Sequence, residues 1–230
     1  MSNYKTVFFI LGVLQIILGL SMIVPIIAQF YYNQVDSGFI GSGLVSIIFG
    51  VLFFLSNLDY EKKLTLPQAF LLTALSWLSI AIFGSLPFVF SDLSLSFTNA
   101  FFESMSGITT TGSTILTNLN ETPKAILLWR AMLQWLGGIG IIVMAITLMP
   151  IMNIGGMQLF VISNTHTPEK ILPKSKEISI RLIVIYSSLT LVCAFFYKIF
   201  GMSFFDSIVH SMTTIATVSY THLRAHETQR

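Results

Sequence analysis

Apolar residues run along this chain in long unbroken blocks, and the charged residues collect in the gaps between them. Five stretches, Thr6–Val35, Ser37–Leu58, Leu64–Ser91, Ala131–Pro168 and Leu182–Tyr197, hold no Asp, Glu, Lys or Arg. Each is close to or longer than the roughly 20 apolar residues that cross a bilayer. The pattern predicts a first span at Val7–Ala28 and a second at Phe39–Leu58, joined into a hairpin by the polar stretch Tyr31–Gly38. A third begins near Pro67, whose missing N–H suits a helix start, and runs to Phe90. A fourth covers Ala125–Met149 and stops at Pro150, and a fifth covers Ile180–Phe200. Between these two, Ile151–Ser179 is punctuated by glycine and proline and then charged, which reads as a surface loop.

One stretch breaks this plain bundle. Thr98–Gly107 reads as an apolar helix of about ten residues, too short to span at about 1.5 Å per residue. Directly after it, Ile108-Thr109-Thr110-Thr111-Gly112-Ser113-Thr114 is β-branched, small and glycine-bearing, a composition that disfavours further helix. Non-helical backbone at membrane depth is tolerated only where protein buries it or where it lines water. An internal repeat strengthens that reading, because Asn99–Ser106 is echoed by Asp206–Thr213 at a constant offset of 107 positions. The preceding spans match at the same offset, Leu72–Phe90 with Ser179–Tyr197, and Thr214–Thr217 echoes the end of the first Thr run. The repeated unit is span, half-helix, non-helical Thr-rich segment, span.

Composition narrows the function. Of 230 residues, 54% are apolar and 10% charged, against about 25% charged in a soluble domain, which excludes a soluble enzyme. A net charge of +2 and a pI of about 8.7 leave no basic stripe for phosphates, so nucleic acid is not an expected partner. The single cysteine, Cys193, excludes an intrachain disulfide or a cysteine metal site. The first apolar run exceeds a secretory signal in length and reads as a retained span. Lys and Arg accumulate on the cytoplasmic side of membranes. The loops Asp59–Lys63 and Glu169–Arg181 carry six of the twelve and share a face, which predicts a cytoplasmic N-terminus and an outward-facing Ser91–Pro123.

A half-helix entering from outside aims its C-terminal carbonyls, with their partial negative charge, at the bilayer centre. The segment that follows can present further backbone carbonyls to an axis, and rings of carbonyls replace the hydration shell of a monovalent cation. Gly112 supplies backbone freedom that other residues lack. One segment cannot enclose an ion, so about four must converge, from repeats in one chain or from several chains. The bland alternative is a surface turn, where Thr, Gly and Ser also gather. Glu103 has two readings: a buried structural pair with Arg130, or an electrostatic contribution near the outer ion entrance. His210, at the position equivalent to Glu103, reads as a packing residue. Gly137-Gly138-Ile139-Gly140 lies inside a span with no strand before it, so it reads as close helix packing rather than a dinucleotide loop. Asn120-Glu121-Thr122 fits the short glycosylation pattern, and no Ser-His-Asp, Cys-His or paired-carboxylate set occurs.

Phe101–Thr114, FFESMSGITTTGST, resembles the Trk/Ktr/HKT superfamily of potassium transporters, specifically its TrkH type. Gly84–Phe88, Pro123–Phe160 and Phe204–Thr217 share the resemblance, which covers residues 1–217. It implies an all-α polytopic membrane protein with span, half-helix, filter and span units around a pseudo-fourfold pore, preceded by a helical hairpin. On that scheme residues 1–63 are the hairpin, 64–168 the first repeat with its cytoplasmic loop, 169–217 a truncated second repeat, and 218–230 a non-native tail. Thr109, Thr110, Thr111 and Gly112 would form the first filter strand, and Ile215, Ala216 and Thr217 would begin the second, with K⁺ held at Thr110, Thr111, Ile215 and Ala216. Glu103 and Arg130 would support the half-helix. The resemblance implies channel-like K⁺ uptake across a bacterial inner membrane, with K⁺ as substrate, no cofactor and no enzyme chemistry. Its implied partners are membrane lipid, a second copy in a homodimer, and a cytoplasmic nucleotide-binding regulatory subunit of the TrkA kind. The sequence departs at Val218, where the family places glycine, and VSYTHLRAHETQR is polar where another span is expected, so a coding artefact is the preferred reading of the tail. His222 and His226 sit four apart there, as metal ligands on a helix can. Two other functions stand beside the first: a non-conducting membrane fragment, and a secondary cation transporter built on repeats.

Overall fold

The computed structural model describes residues 4–34, 36–60, 64–117, 119, 121–152 and 171–216, with backbone alone at 145–152 and 171–176. The described chain is helical, with helices at Lys5–Ser21 (α1), Ile23–Tyr31 (α2), Gly38–Ser56 (α3), Leu66–Phe90 (α4), Phe97–Ile108 (α5), Lys124–Met152 (α6), Ile171–Ile199 (α7) and Phe204–Ile215 (α8). Five of the helical stretches are long and apolar enough to cross a membrane. The chain is an all-α polytopic membrane protein.

Two helix ends differ from the expected ones, and the first span, which runs as one from Lys5 to Tyr31, carries an internal interruption. The helix of the first span is interrupted at Met22, because Pro25 has no N–H to offer the turn before it. That turn tightens, with the Met22 N–H on the Gly19 carbonyl at 3.3 Å and the Ser21 hydroxyl on the Leu18 carbonyl at 2.6 Å. The fourth helix passes through Pro150 and continues to Met152. A proline removes one helical hydrogen bond, and in lipid no water competes for the rest. The fifth helix starts at Ile171, nine residues before the expected Ile180. Lys174, Lys176, Glu177 and Arg181 are good helix formers, so their charge bounds the membrane-buried part of the helix and not the helix itself. The middle of the expected loop, including Glu169 and Lys170, lies outside the described residues, as do Glu61, Lys62 and Lys63.

α1 and α3 form the N-terminal hairpin by direct backbone contact. A Cβ on Gly12 would lie 2.7 Å from the Gly50 carbonyl oxygen, and one on Gly19 would lie 2.9 Å from that of Gly43. Both glycine pairs are spaced seven residues along their own helix, so one stripe of each faces the other. Phe9 stacks on Tyr60 at 4.0 Å between ring centroids and closes one end. At the other end Gly38 abuts the backbone of Phe90, and Asp36 accepts from the N–H groups of Gly38 (2.9 Å) and Asp92 (3.3 Å).

α4 starts at a capping box, Thr65 with Gln68, and follows Pro67 into the membrane. Its far end turns back through Ser91–Ser96 into α5. Gly84 lets α5 lie directly on α4, since a Cβ there would meet the Ser104 hydroxyl at 2.7 Å. Trp129 of α6 is fully buried behind this contact, donates its indole N–H to the Gly84 carbonyl at 3.0 Å, and meets Phe39 edge-on. The half-helix α5 is thus clamped between α4 and α6, with Phe88, Ala100, Ile126 and Leu133 filling the core around it.

Gly12→Val and Gly50→Val are each expected to lower the thermal unfolding midpoint in detergent. Gly41→Val, on the same hairpin but with nothing within 4 Å of its Cβ position, is expected to leave it unchanged. Equal midpoints for all three would contradict the glycine-contact account.

Candidate functional site

α5 and α8 are both 12 residues long and begin at the same kind of cap. The Ser96 hydroxyl accepts the Asn99 N–H at 3.4 Å, and the Ser203 hydroxyl accepts the Asp206 N–H at 3.1 Å. The two helices stand at the offset of 107 seen in the sequence, Phe97–Ile108 against Phe204–Ile215. Ala100, Ser104 and Ser106 are buried on the first and their equivalents Ser207, Ser211 and Thr213 on the second. Both begin at the face where Gln34, Asp36, Asp92 and Lys124 lie: Lys124 sits 5.0 Å over the Phe205 ring, and its N–H bonds Gln34. The half-helices therefore enter from one side and share an orientation.

The end of α5 can be followed carbonyl by carbonyl. The Met105 carbonyl accepts the Thr109 N–H (3.0 Å) and hydroxyl (2.8 Å), and that of Gly107 accepts the Thr110 N–H (2.9 Å). The Ser106 carbonyl accepts two N–H groups, from Thr111 (3.1 Å) and Gly112 (3.3 Å). The Gly112 carbonyl accepts from Arg130 Nη2 at 3.0 Å, and the Ser113 carbonyl accepts from Arg130 Nη2 at 3.3 Å and from the Ser106 hydroxyl at 2.6 Å. Between these tied groups, the carbonyl of Ile108, the last helical residue, and those of Thr109, Thr110 and Thr111 after it accept no hydrogen bond among the described residues. Thr109, Thr110 and Thr111 are half-buried, so their three carbonyls, without a protein donor, are free to accept from water or to take another ligand.

The segment is not a simple extended strand. Thr110 has φ 56 and Gly112 φ 84, while Thr111 between them stays on the ordinary side. Alternation of hand turns successive peptide planes, which a uniformly extended strand would point to opposite sides. A β-branched residue at positive φ is an outlier that costs about 1–3 kcal/mol and persists only where its surroundings over-determine it. Those surroundings are the doubly bonded Ser106 carbonyl before the turn and Arg130 after it.

Arg130 and Glu103 form an ion pair with neither side chain more than 1% exposed. Glu103 Oε2 also accepts from the Thr114 hydroxyl and the Ile115 N–H, each at 3.1 Å. One carboxylate on α5 and one guanidinium on α6 thereby hold both sides of the loop from residue 112 to residue 115. Of the two readings of Glu103, the geometry is that of the buried pair.

The remaining candidates are dispersed. Thr109 is the C-cap of α5 and Ala216 the C-cap of α8, whereas Ile215 is the last helical residue, in the place Ile108 holds in α5. Thr217, Val218, His222 and His226 lie outside the described residues, as does Asn120. His210 is half-buried on α8, and among the described residues no three His, Cys, Asp or Glu side chains converge as metal ligands. Cys193 is free in α7. Ser106 is the residue that sequence reading missed, and its only signal was the hydroxyl retained at its equivalent, Thr213.

Residues 6–222 match the model of the TrkH family, described as cation transport proteins. The Trk system potassium uptake protein TrkI of Halomonas elongata is 39% identical over 209 residues, 90% of this chain and 42% of that protein. TrkH of Vibrio parahaemolyticus and TrkH of Escherichia coli are each 38% identical over 218 residues, 93% of this chain and 45% of theirs. The crystal structure of the potassium transporter TrkH from Vibrio parahaemolyticus superposes with a TM-score of 0.81 at 35% identity, covering 92% of this chain and 42% of that one. The chain thus spans less than half the length of these relatives, and the family match runs past Thr217 to residue 222.

Removing one partner of a buried ion pair leaves an uncompensated charge and costs about 3–5 kcal/mol. Arg130→Met is expected to destabilise the protein by that amount in detergent unfolding. Adding Glu103→Gln should restore part of the loss, because the amide oxygen still accepts from Ile115 without carrying charge. A double variant no more stable than Arg130→Met would contradict the charge argument.

Proposed function

The chain belongs to the TrkH family of cation transport proteins, and we propose on that premise that it carries K⁺ inward through a filter of backbone carbonyls. The observation that supports this is the run of three unbonded carbonyls, Thr109 to Thr111, held at the C-terminal end of a buried half-helix. A dehydrated monovalent cation needs several oxygen dipoles of moderate strength, and neutral carbonyls supply them without trapping the ion as carboxylates would. The aligned peptide dipoles of α5 add partial negative charge at the same place. Thr110 and Thr111 are the proposed K⁺ ligands of this repeat, with Thr109 beside them and Gly112 as the bend that lets the run turn. Ile215 ends the second half-helix, so its carbonyl and that of Ala216 are the first that the second repeat can offer.

The relatives are potassium uptake proteins by name, which supports K⁺ as the substrate. The face carrying Lys5, Asp59 and Arg181 is proposed as cytoplasmic, on the rule that cations stay inside, and the half-helices then enter from outside. The membrane would be a bacterial inner membrane. The family resemblance extends the proposal to a homodimer and to a nucleotide-binding regulatory subunit meeting that cytoplasmic face. No catalytic chemistry is required of the chain.

A second reading has one observation in its favour. In its most apolar stretch α7 buries 11% of its residues, against 56% for α6. A chain so open on one side conducts only when further segments cover it. On this reading the chain expressed alone fails to rescue growth at low K⁺ in cells lacking K⁺ uptake, and rescue would contradict it.

The filter assignment is tested by joining residues 1–216 to the part of the Vibrio parahaemolyticus relative that this chain does not span. Gly112→Ala is expected to lower the ratio of Rb⁺ to Na⁺ uptake by about tenfold or more, since a Cβ at positive φ costs about 1–2 kcal/mol and would be relieved by turning the carbonyls. Unchanged selectivity with normal membrane levels would sink the assignment.

A further inference from the structure

Helix α6 touches the ends of both half-helices through two adjacent residues. Gly137 faces the end of α5: a Cβ there would fall inside the carbonyl oxygen of Ile108 and lie 2.7 Å from its carbonyl carbon. Gly138 faces the end of α8: its Cβ would lie 3.3 Å from Cα of Ala216 and would run into the hydroxyl of Tyr186 on α7. Gly140, one turn on, has nothing within 4 Å. The close approach is thus confined to the pair that stands between the two repeats.

The Ile108 carbonyl is the one group at the end of α5 that is neither capped by an N–H nor part of the open run. It rests on the Cα of Gly137, a contact of the weak C–H to oxygen kind that only a glycine permits at this distance. On the other side Tyr186 donates to the Trp135 carbonyl at 3.2 Å, and the Trp135 indole donates to Thr190 at 3.0 Å, which fixes α7 to the same turn of α6. Protein interiors are close-packed, so an added methyl at Gly137 must move a backbone, and one at Gly138 must displace the Tyr186 hydroxyl and press on the Ala216 backbone.

We propose that Gly137 and Gly138 are positioning residues, a double notch in α6 that sets the distance between the two half-helix ends and therefore between the carbonyl segments they carry. The inference rests on the filter reading of those segments. It assigns to one helix the task of keeping two repeats in register. Selectivity depends on that distance, because too wide a ring leaves a cation partly uncoordinated.

Spin labels at Phe97→Cys and Phe204→Cys, equivalent exposed sites on the two half-helices, report the distance in the full chain with Cys193 replaced by Ser. Gly137→Ala and Gly138→Ala should each shift or broaden the distance distribution, and Gly140→Ala should not. If Gly137→Ala does not fold, Gly138→Ala combined with Tyr186→Phe keeps the question open to measurement: the hydroxyl contact is gone, and a remaining shift reports the seat of α8 alone. In the fusion used for uptake, Gly137→Ala and Gly138→Ala should lower the Rb⁺ over Na⁺ ratio while Gly140→Ala leaves it intact. An unchanged distance overturns the proposal. So does a shifted distance with intact selectivity when Gly112→Ala does lose selectivity. If Gly112→Ala also keeps its selectivity, the filter reading itself has failed, and the positioning role falls with it.

Discussion

The buried pair of Glu103 and Arg130 is the constraint on which the rest of the site depends. Two full charges at membrane depth are expensive unless they are paired and their remaining hydrogen-bonding capacity is used. Here the carboxylate takes the guanidinium, a threonine hydroxyl and an N–H, while Nη2 of the guanidinium donates to the carbonyls of Gly112 and Ser113 and Nη1 is buried without a partner among the described residues. The pair therefore stitches α5, α6 and the intervening loop into one unit. A threonine at positive φ can be held in such a frame and not in a free loop. By occupying the carbonyls of Gly112 and Ser113, Arg130 also closes the open run at Thr111.

Much of this architecture was legible in the sequence, because hydropathy is the first-order term in a membrane. Five uncharged blocks became five spans, and the short apolar block Thr98–Gly107 became the half-helix Phe97–Ile108. The repeat at an offset of 107 became two helices of equal length with the same serine cap. What failed rested on secondary cues. Pro150 did not end the fourth helix, and Lys174 and Lys176, expected in a loop, were helical, while Pro25 interrupts the helix at Met22 inside a span that stays single. Charge and proline speak to solvation and to single hydrogen bonds, and the membrane reweights both.

The site was legible in its residues and not in its bonds. That Glu103 pairs with Arg130 could be guessed from two lone charges near apolar spans. That Arg130 also holds the Gly112 carbonyl could not, since it depends on the turn made at Thr110. Likewise Gly137 and Gly138 could be read as packing glycines, but which backbone each receives is a property of three helices meeting. The exposed flank of α7 shows the same limit from the other direction: 11% of its most apolar stretch is buried, and what covers the rest depends on segments that pack against it.

The central claim is that the carbonyls of Thr109, Thr110 and Thr111 are ion ligands. Anomalous diffraction from crystals of the protein grown in Rb⁺, compared with crystals grown in Na⁺, addresses it directly. A Rb⁺ peak within coordination distance of the Thr110 and Thr111 carbonyl oxygens, missing in Na⁺, is the predicted result. Ordered Rb⁺ elsewhere along α5 with those carbonyls bonded to protein donors would contradict the account.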